Sequence, residues 1–262
     1  MSLPAHRRPP CPVRDDRGRL HYVLTAGIDL AAQPARTGAV LVDWSSEPPT
    51  VVQARRETTD KQILTLCQEV AGQQGRVGID CPLGWPRAFV AFVTAHAAHQ
   101  PLPTTEPGTR SLRLRATDIA LVQRRLGRPP LSVSTNMLGV TALRAARLLA
   151  ELRECGMPVD RSGRGTVCEV YPAASRSAWE LPIGARDLTG LLSRLPLAVA
   201  PAQRAQLDNE HIFDALVAAL TARAVAVGAT EPPPPEQADL AAEEGWIHVP
   251  SPGHDIAQLT AH

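Results

Sequence analysis

The tripeptide Gly-Ile-Asp occurs twice, as Gly27-Ile28-Asp29 and as Gly78-Ile79-Asp80, and each copy closes a short apolar run. A run of that kind predicts a buried strand with a charge at its carboxyl end, which is costly unless something compensates it. Two such strands lying side by side hold two carboxylates close together, and like charges at that range repel. A divalent cation between them removes the repulsion and creates a reactive site. A fold that lays the two strands side by side would bring both acids to one such site.

The pattern between and around the two copies supplies such a fold. Tyr22 to Ala31, Gly38 to Trp44 and Thr50 to Ala54 read as strands joined by short turns, which predicts an antiparallel meander. Thr58 or Thr59 then caps a helix through Gly72, with Ile63, Leu64, Leu66, Cys67 and Val70 on its apolar side. Strand four, Val77 to Asp80, is reached through that helix and is expected parallel to strand one. Residues 87–164 read as a helical insertion, most regular over Met137 to Cys155. Thr166 to Tyr171 predicts strand five, and short helices are expected across 173–207. Asp208 to Val227 predicts a long helix that is apolar on every side after Asp214, hence buried. Glu244 to Pro250 reads as a short closing strand. The order of these elements is similar to that of the ribonuclease H-like fold, which implies an α/β fold with a mixed five-stranded sheet of order 3-2-1-4-5 flanked by helices. Residues 1–20 are charged and Pro-rich and predict a disordered leader; 21–250 form a single domain and 251–262 a tail.

Composition narrows the function classes. With 262 residues, 44% hydrophobic and 3% aromatic, the chain has material for a sizeable core built from Ala, Leu and Val. A net charge of +1 gives no global field for nucleic acid, so any such binding needs a local patch. Arg110, Arg113, Arg115, Arg124, Arg125 and Arg128, set against Asp118, are the candidate. Guanidinium forks suit phosphate oxygens, and Asp118 can orient Arg115; a solvated charged face is the alternative. Five scattered cysteines without a C-x-x-C pair predict reduced buried thiols and no structural zinc. No stretch suits a signal peptide or a membrane span, which predicts a soluble, cytoplasmic protein.

On the expected topology Asp29 and Asp80 face each other, and the long helix crosses the same end of the sheet. His211 and Asp214 are three apart and share one helix face; Glu210 lies four before Asp214. Glu169 on strand five is a further candidate, either in the cluster or paired with an arginine. An oxygen-rich set of this kind suits Mg2+ or Mn2+, and a nearby imidazole favours Mn2+. A two-metal site would place one ion on the attacking water and one on the leaving oxygen.

Several segments together resemble one family. Gly27-Ile28-Asp29-Leu30-Ala31, Ile79-Asp80-Cys81-Pro82-Leu83-Gly84-Trp85-Pro86 and Arg115-Ala116-Thr117-Asp118 are followed by Glu169-Val170-Tyr171-Pro172-Ala173-Ala174, Asp214-Ala215-Leu216-Val217-Ala218-Ala219 and Glu244-Gly245-Trp246-Ile247. In this order they are similar to the predicted ribonuclease H-like nucleases, domain of unknown function 429. The resemblance implies a ribonuclease H-like sheet with Asp29, Asp80, Glu169 and Asp214 as its acidic cluster. The His211-x-x-Asp214 pair is also similar to the last-helix pair of some bacterial Holliday-junction resolvases. Where the family often carries a pair of acids before the last Asp, this chain has Asp208-Asn209-Glu210-His211.

The leading expectation is a metal-dependent nuclease acting on DNA or RNA. Asp29, Asp80 and Asp214 would hold the ions, with Glu169 or His211 completing the set. Arg110, Arg113, Arg115 and Asp118 would contact substrate. Two alternatives stand beside it. One is a non-catalytic scaffold of the same fold that binds nucleic acid, a nucleotide or a protein. The other is an actin-like or sugar-kinase-type ATPase, against which Leu30-Ala31 stands where glycines would approach a phosphate.

Overall fold

The computed structural model describes residues 24–104, 109–126, 129–182 and 186–260. The expected leader, Cys11 and Arg128 lie outside the described residues. Strands β1 (Leu24–Asp29), β2 (Gly38–Asp43) and β3 (Thr50–Arg55) form the antiparallel meander. Helix α1 (Asp60–Gly72) follows, capped by Thr59, whose hydroxyl accepts the Gln62 amide while the Gln62 side chain accepts the Thr59 amide. Strand β4 (Arg76–Asp80) returns parallel to β1. The insertion is helical throughout its regular parts: α2 (Arg87–Ala97), α3 (Arg110–Arg113), α4 (Ala116–Arg124) and α5 (Leu138–Glu154). Strand β5 (Val167–Val170) lies parallel to β4. Then come α6 (Pro172–Ala178), α7 (Leu188–Arg194), β6 (Ala198–Val199), α8 (Pro201–Leu207), α9 (Glu210–Ala226), α10 (Ala238–Glu244) and β7 (Ile247–His248).

All strands join one mixed sheet of order β6-β3-β2-β1-β4-β5-β7. The five-stranded expectation is thereby corrected to seven, because two-residue strands add parallel to β3 and to β5 at the edges. A two-residue strand is too short to show an alternating pattern, so β6 left no mark in the periodicity. Residues 256–260 form a 3-10 helix that buries Ile256 and Leu259, and the Leu259 carbonyl accepts from Arg223 Nε at 3.0 Å.

Strand alternation explains the doubled tripeptide. Along each strand the glycine and the aspartate share one face, and the isoleucine takes the other. Ile28 and Ile79 pack with Ile63, Val70 and Leu149 of α1 and α5. On the opposite face lies α9. A Cβ on Gly27 would stand 2.0 Å from the Ala215 carbonyl oxygen, and one on Gly78 would stand 2.5 Å from that of Ala218. Glycine at both places lets the α9 backbone press onto the sheet, so the helix is buried around most of its girth. The two aspartates, two residues further on, emerge on that same face at the start of α9.

Candidate active site

Asp29 and Asp80 are register partners on adjacent parallel strands, whose backbones run about 4.8 Å apart. Helix α9 delivers the third carboxylate. Its N-cap Asn209 accepts the His211 amide at 3.1 Å, which fixes the first turn above the sheet end. His211 Nδ1 lies 2.6 Å from Asp29 Oδ2, and Asp214 follows on the same helix face. All three carboxylates are half-buried.

Their protonation reflects this crowding. Burial pushes the Asp29 carboxyl up to about 6; His211 opposes the rise, and Asp214 and Glu210 add to it. Asp80 stands well above the ordinary carboxylate range, first through burial and then through the charges of Asp29, Asp214 and Glu169. Burial also raises Asp214, against the pull of Arg176. Arg176 of α6 reaches Asp214 Oδ1 only at 3.5 Å, and that oxygen has no hydrogen-bond partner.

Glu169 does not share this state. Its two oxygens accept from Arg115 Nη1 and Nη2 at 2.8 and 2.7 Å, and Oε2 also takes the Leu83 amide at 2.9 Å. Burial lifts the Glu169 carboxyl above its ordinary range, but the two-pronged fork marks a charged pair. On the Arg115 side, burial disfavours the charge and Glu169 with Asp118 outweighs it, so the guanidinium stays protonated.

The expected substrate contacts of Arg115 and Asp118 are corrected by this geometry. Arg115 is 2% exposed and Asp118 is fully buried. Asp118 accepts from Arg115 Nε at 3.2 Å and from Nη2 at 2.9 Å, and the Glu244 carbonyl accepts from Nη1 at 3.2 Å. Each guanidinium nitrogen is thus engaged inside the protein, and the cluster ties the insertion to β5 and α10. Arg110 and Arg113 are exposed on α3, while Arg124 pairs with Glu231 at 3.2 Å.

Sequence reasoning passed over three residues that build the site. Arg176 in the short α6 belongs to no pattern. Arg144 of α5 is buried and donates to the Ala31 carbonyl at 2.7 Å and to Thr37 Oγ1 at 2.6 Å, which fixes the turn after Asp29. Glu244 accepts the Arg87 amide at 2.7 Å and the Ala116 amide at 2.9 Å, so one carboxylate caps α2 and α4 together. Gly245 follows at φ +92, and a Cβ there would stand 2.7 Å from Glu169 Oε2. Only that last segment left a signal, as the Glu244-Gly245-Trp246-Ile247 match.

Residues 27–239 match the family profile described as protein of unknown function (DUF429). The chain belongs to the DUF429 family. No curated protein and no solved structure matches it.

For a divalent cation the DUF429 site offers a partial fit. Among the described residues no group of three or more His, Cys, Asp or Glu side chains is arranged to hold a metal ion. With Glu169 taken by Arg115, a two-ion cage of the expected kind lacks its ligands. Mg2+, however, keeps several waters and is commonly held by one or two carboxylates together with substrate phosphate. The Asp29–Asp80 pair, with the unpartnered Asp214 oxygen beside it, fits one such ion.

Proposed function

We propose that this protein is a divalent-metal-dependent phosphodiester hydrolase acting on nucleic acid, with a one-ion site built on Asp29, Asp80 and Asp214. The observation that carries the reading is the register pairing of Asp29 with Asp80 at a sheet end where a third acid arrives on α9. Acids that raise one another in this way cost stability when charged, and a bound cation is what makes the arrangement useful. When bound, Mg2+ or Mn2+ would supply a neutralising charge and a more acidic water. The chain's own residues do the rest. His211 orients the Asp29 carboxylate, Arg144 fixes the turn behind it, and Arg115 holds Glu169 and the insertion in place. Arg110 and Arg113 offer exposed guanidinium groups to a phosphate backbone. A fold of the ribonuclease H-like kind is part of this reading, supported by the meander, the parallel β4 and the carboxylate-bearing last long helix.

The scaffold alternative draws on one observation, the absence of a ready group of three ligands among the described residues. The ATPase alternative gains none. The turn after Asp29 runs into a 3-10 helix, Pro34–Arg36, with no glycine before Gly38. The deciding experiment incubates the protein with Mn2+ or Mg2+ and labelled single strands, duplexes, hybrids and branched junctions. Wild type should cleave at least one of them only with metal, and Asp29→Asn and Asp80→Asn should be folded and inactive. Cleavage that persists in both variants, or without metal, defeats the proposal.

A further inference from the structure

Beside the carboxylate pair the sheet end opens into a cavity of about 220 Å3. Asp29 and Asp80 line it together with Pro130, Leu131 and Leu138 of the insertion and with Tyr171 and Ile247. Its size lies below the roughly 300–1,000 Å3 of pockets that take drug-sized ligands. A duplex does not enter such a space, and neither does a whole nucleoside triphosphate. A single planar ring does.

The polar lining narrows the occupant further. Arg115 and Glu169 also border the cavity, but each satisfies the other, so neither is free to grip a phosphate or read a base edge. Asp29 and Asp80 repel an anion directly. What remains for the ligand is the apolar wall and Tyr171, which also lines the cavity. Leu131 is 54% exposed, which sets the mouth open to solvent on the side of the insertion. An apolar slot next to a site that binds phosphate through a cation matches one chemical unit, a base whose own backbone phosphate lies at the acids.

We infer that this cavity receives one unpaired base of a single-stranded nucleic acid and holds it by apolar contact, next to the phosphate at Asp29 and Asp80. The inference rests on the proposed hydrolase site and deepens it, because it makes a single strand or a frayed end the substrate. Bases that must leave a stack to enter a pocket carry an unpairing cost, which single strands avoid. Pro130, Leu131 and Leu138 of the insertion thereby acquire a role as the base-binding wall.

The test is binding rather than turnover. A fluorescein-labelled twelve-nucleotide single strand is titrated by anisotropy in Ca2+, with the unlabelled strand and its blunt duplex as competitors. Wild type should prefer the single strand by about tenfold or more, in the range alanine substitution gives for one base contact. Leu138→Trp, which fills the slot, and Leu131→Asn, which makes the exposed wall polar without adding charge, should each remove that preference. Mn2+ binding measured by calorimetry should stay unchanged in both. Equal affinity for strand and duplex, or an unchanged preference in folded Leu131→Asn, overturns the inference. Loss of Mn2+ binding in the wild type would instead strike the hydrolase site itself, so the two failures are distinguishable.

Discussion

Asp80 shows what the site costs. Its carboxyl stands well above the ordinary range through burial and through its neighbours, so its charged form is disfavoured in the fold. Asp80→Asn should therefore raise the melting temperature in metal-free buffer at pH 7 while abolishing metal-dependent cleavage; a lowered melting temperature would mean that the charge is already compensated. In the proposed site His211 would act through Asp29, which its Nδ1 contacts at 2.6 Å, rather than on the ion. Removing such an outer partner of a ligand typically costs roughly ten- to a hundredfold in metal affinity. His211→Ala should show that loss in calorimetry with Mn2+, with the fold intact by circular dichroism. Arg115 is the reverse case, a group that stabilises. Arg115→Met would leave Glu169 and Asp118 buried without their cation, a change that costs about 3–5 kcal/mol. Urea denaturation should register it, and an unchanged midpoint would show that water replaces the guanidinium.

The strands and helices carry their own prediction, centred on the contact between β1 and α9. Gly27→Ala would drive a Cβ into the Ala215 backbone, and overpacking of this kind costs roughly 3 kcal/mol. Thermal unfolding of the variant should show a lower melting temperature, together with weaker Mn2+ binding, because α9 carries His211 and Asp214. The same contact explains what the sequence disclosed. The meander, α1 and α9 were legible because their apolar spacing is regular and their turns are short. Asp29, Asp80 and Asp214 were legible because each ends or interrupts an apolar run. The helix-facing role of the glycines was open to the same reasoning, since a residue two before an acid on a strand shares its face. Glu169 stayed open between the cluster and an arginine, and Arg115 read as a substrate contact, for a physical reason. They are 54 positions apart in the chain, and only the folded insertion brings them together and consumes both charges. β6 was invisible because two residues have no period.

The chain as a unit couples these charges to pH and, in the proposed site, to metal. Asp29 has a folded-state value of about 6 against an ordinary 3.8. A carboxyl raised on folding binds its proton more tightly in the native state, so native stability falls as pH rises from about 4 to about 6. Melting curves in chelator should show the decline, and Asp29→Asn should make it shallower, with the raised carboxyls of Asp80 and Asp214 sustaining the rest. A cation that binds only the folded form recovers stability by mass action, most strongly where the acids are ionised. Among the described residues no helix is long and apolar enough to cross a membrane. Calorimetric titration of Mn2+ into the metal-free protein at pH 7.5 asks the question most directly. One ion should bind per chain, with binding lost in Asp29→Asn, in Asp80→Asn and in a variant carrying both. No heat in the wild type, or equal affinity in those folded variants, would contradict a cation site at the paired strand ends.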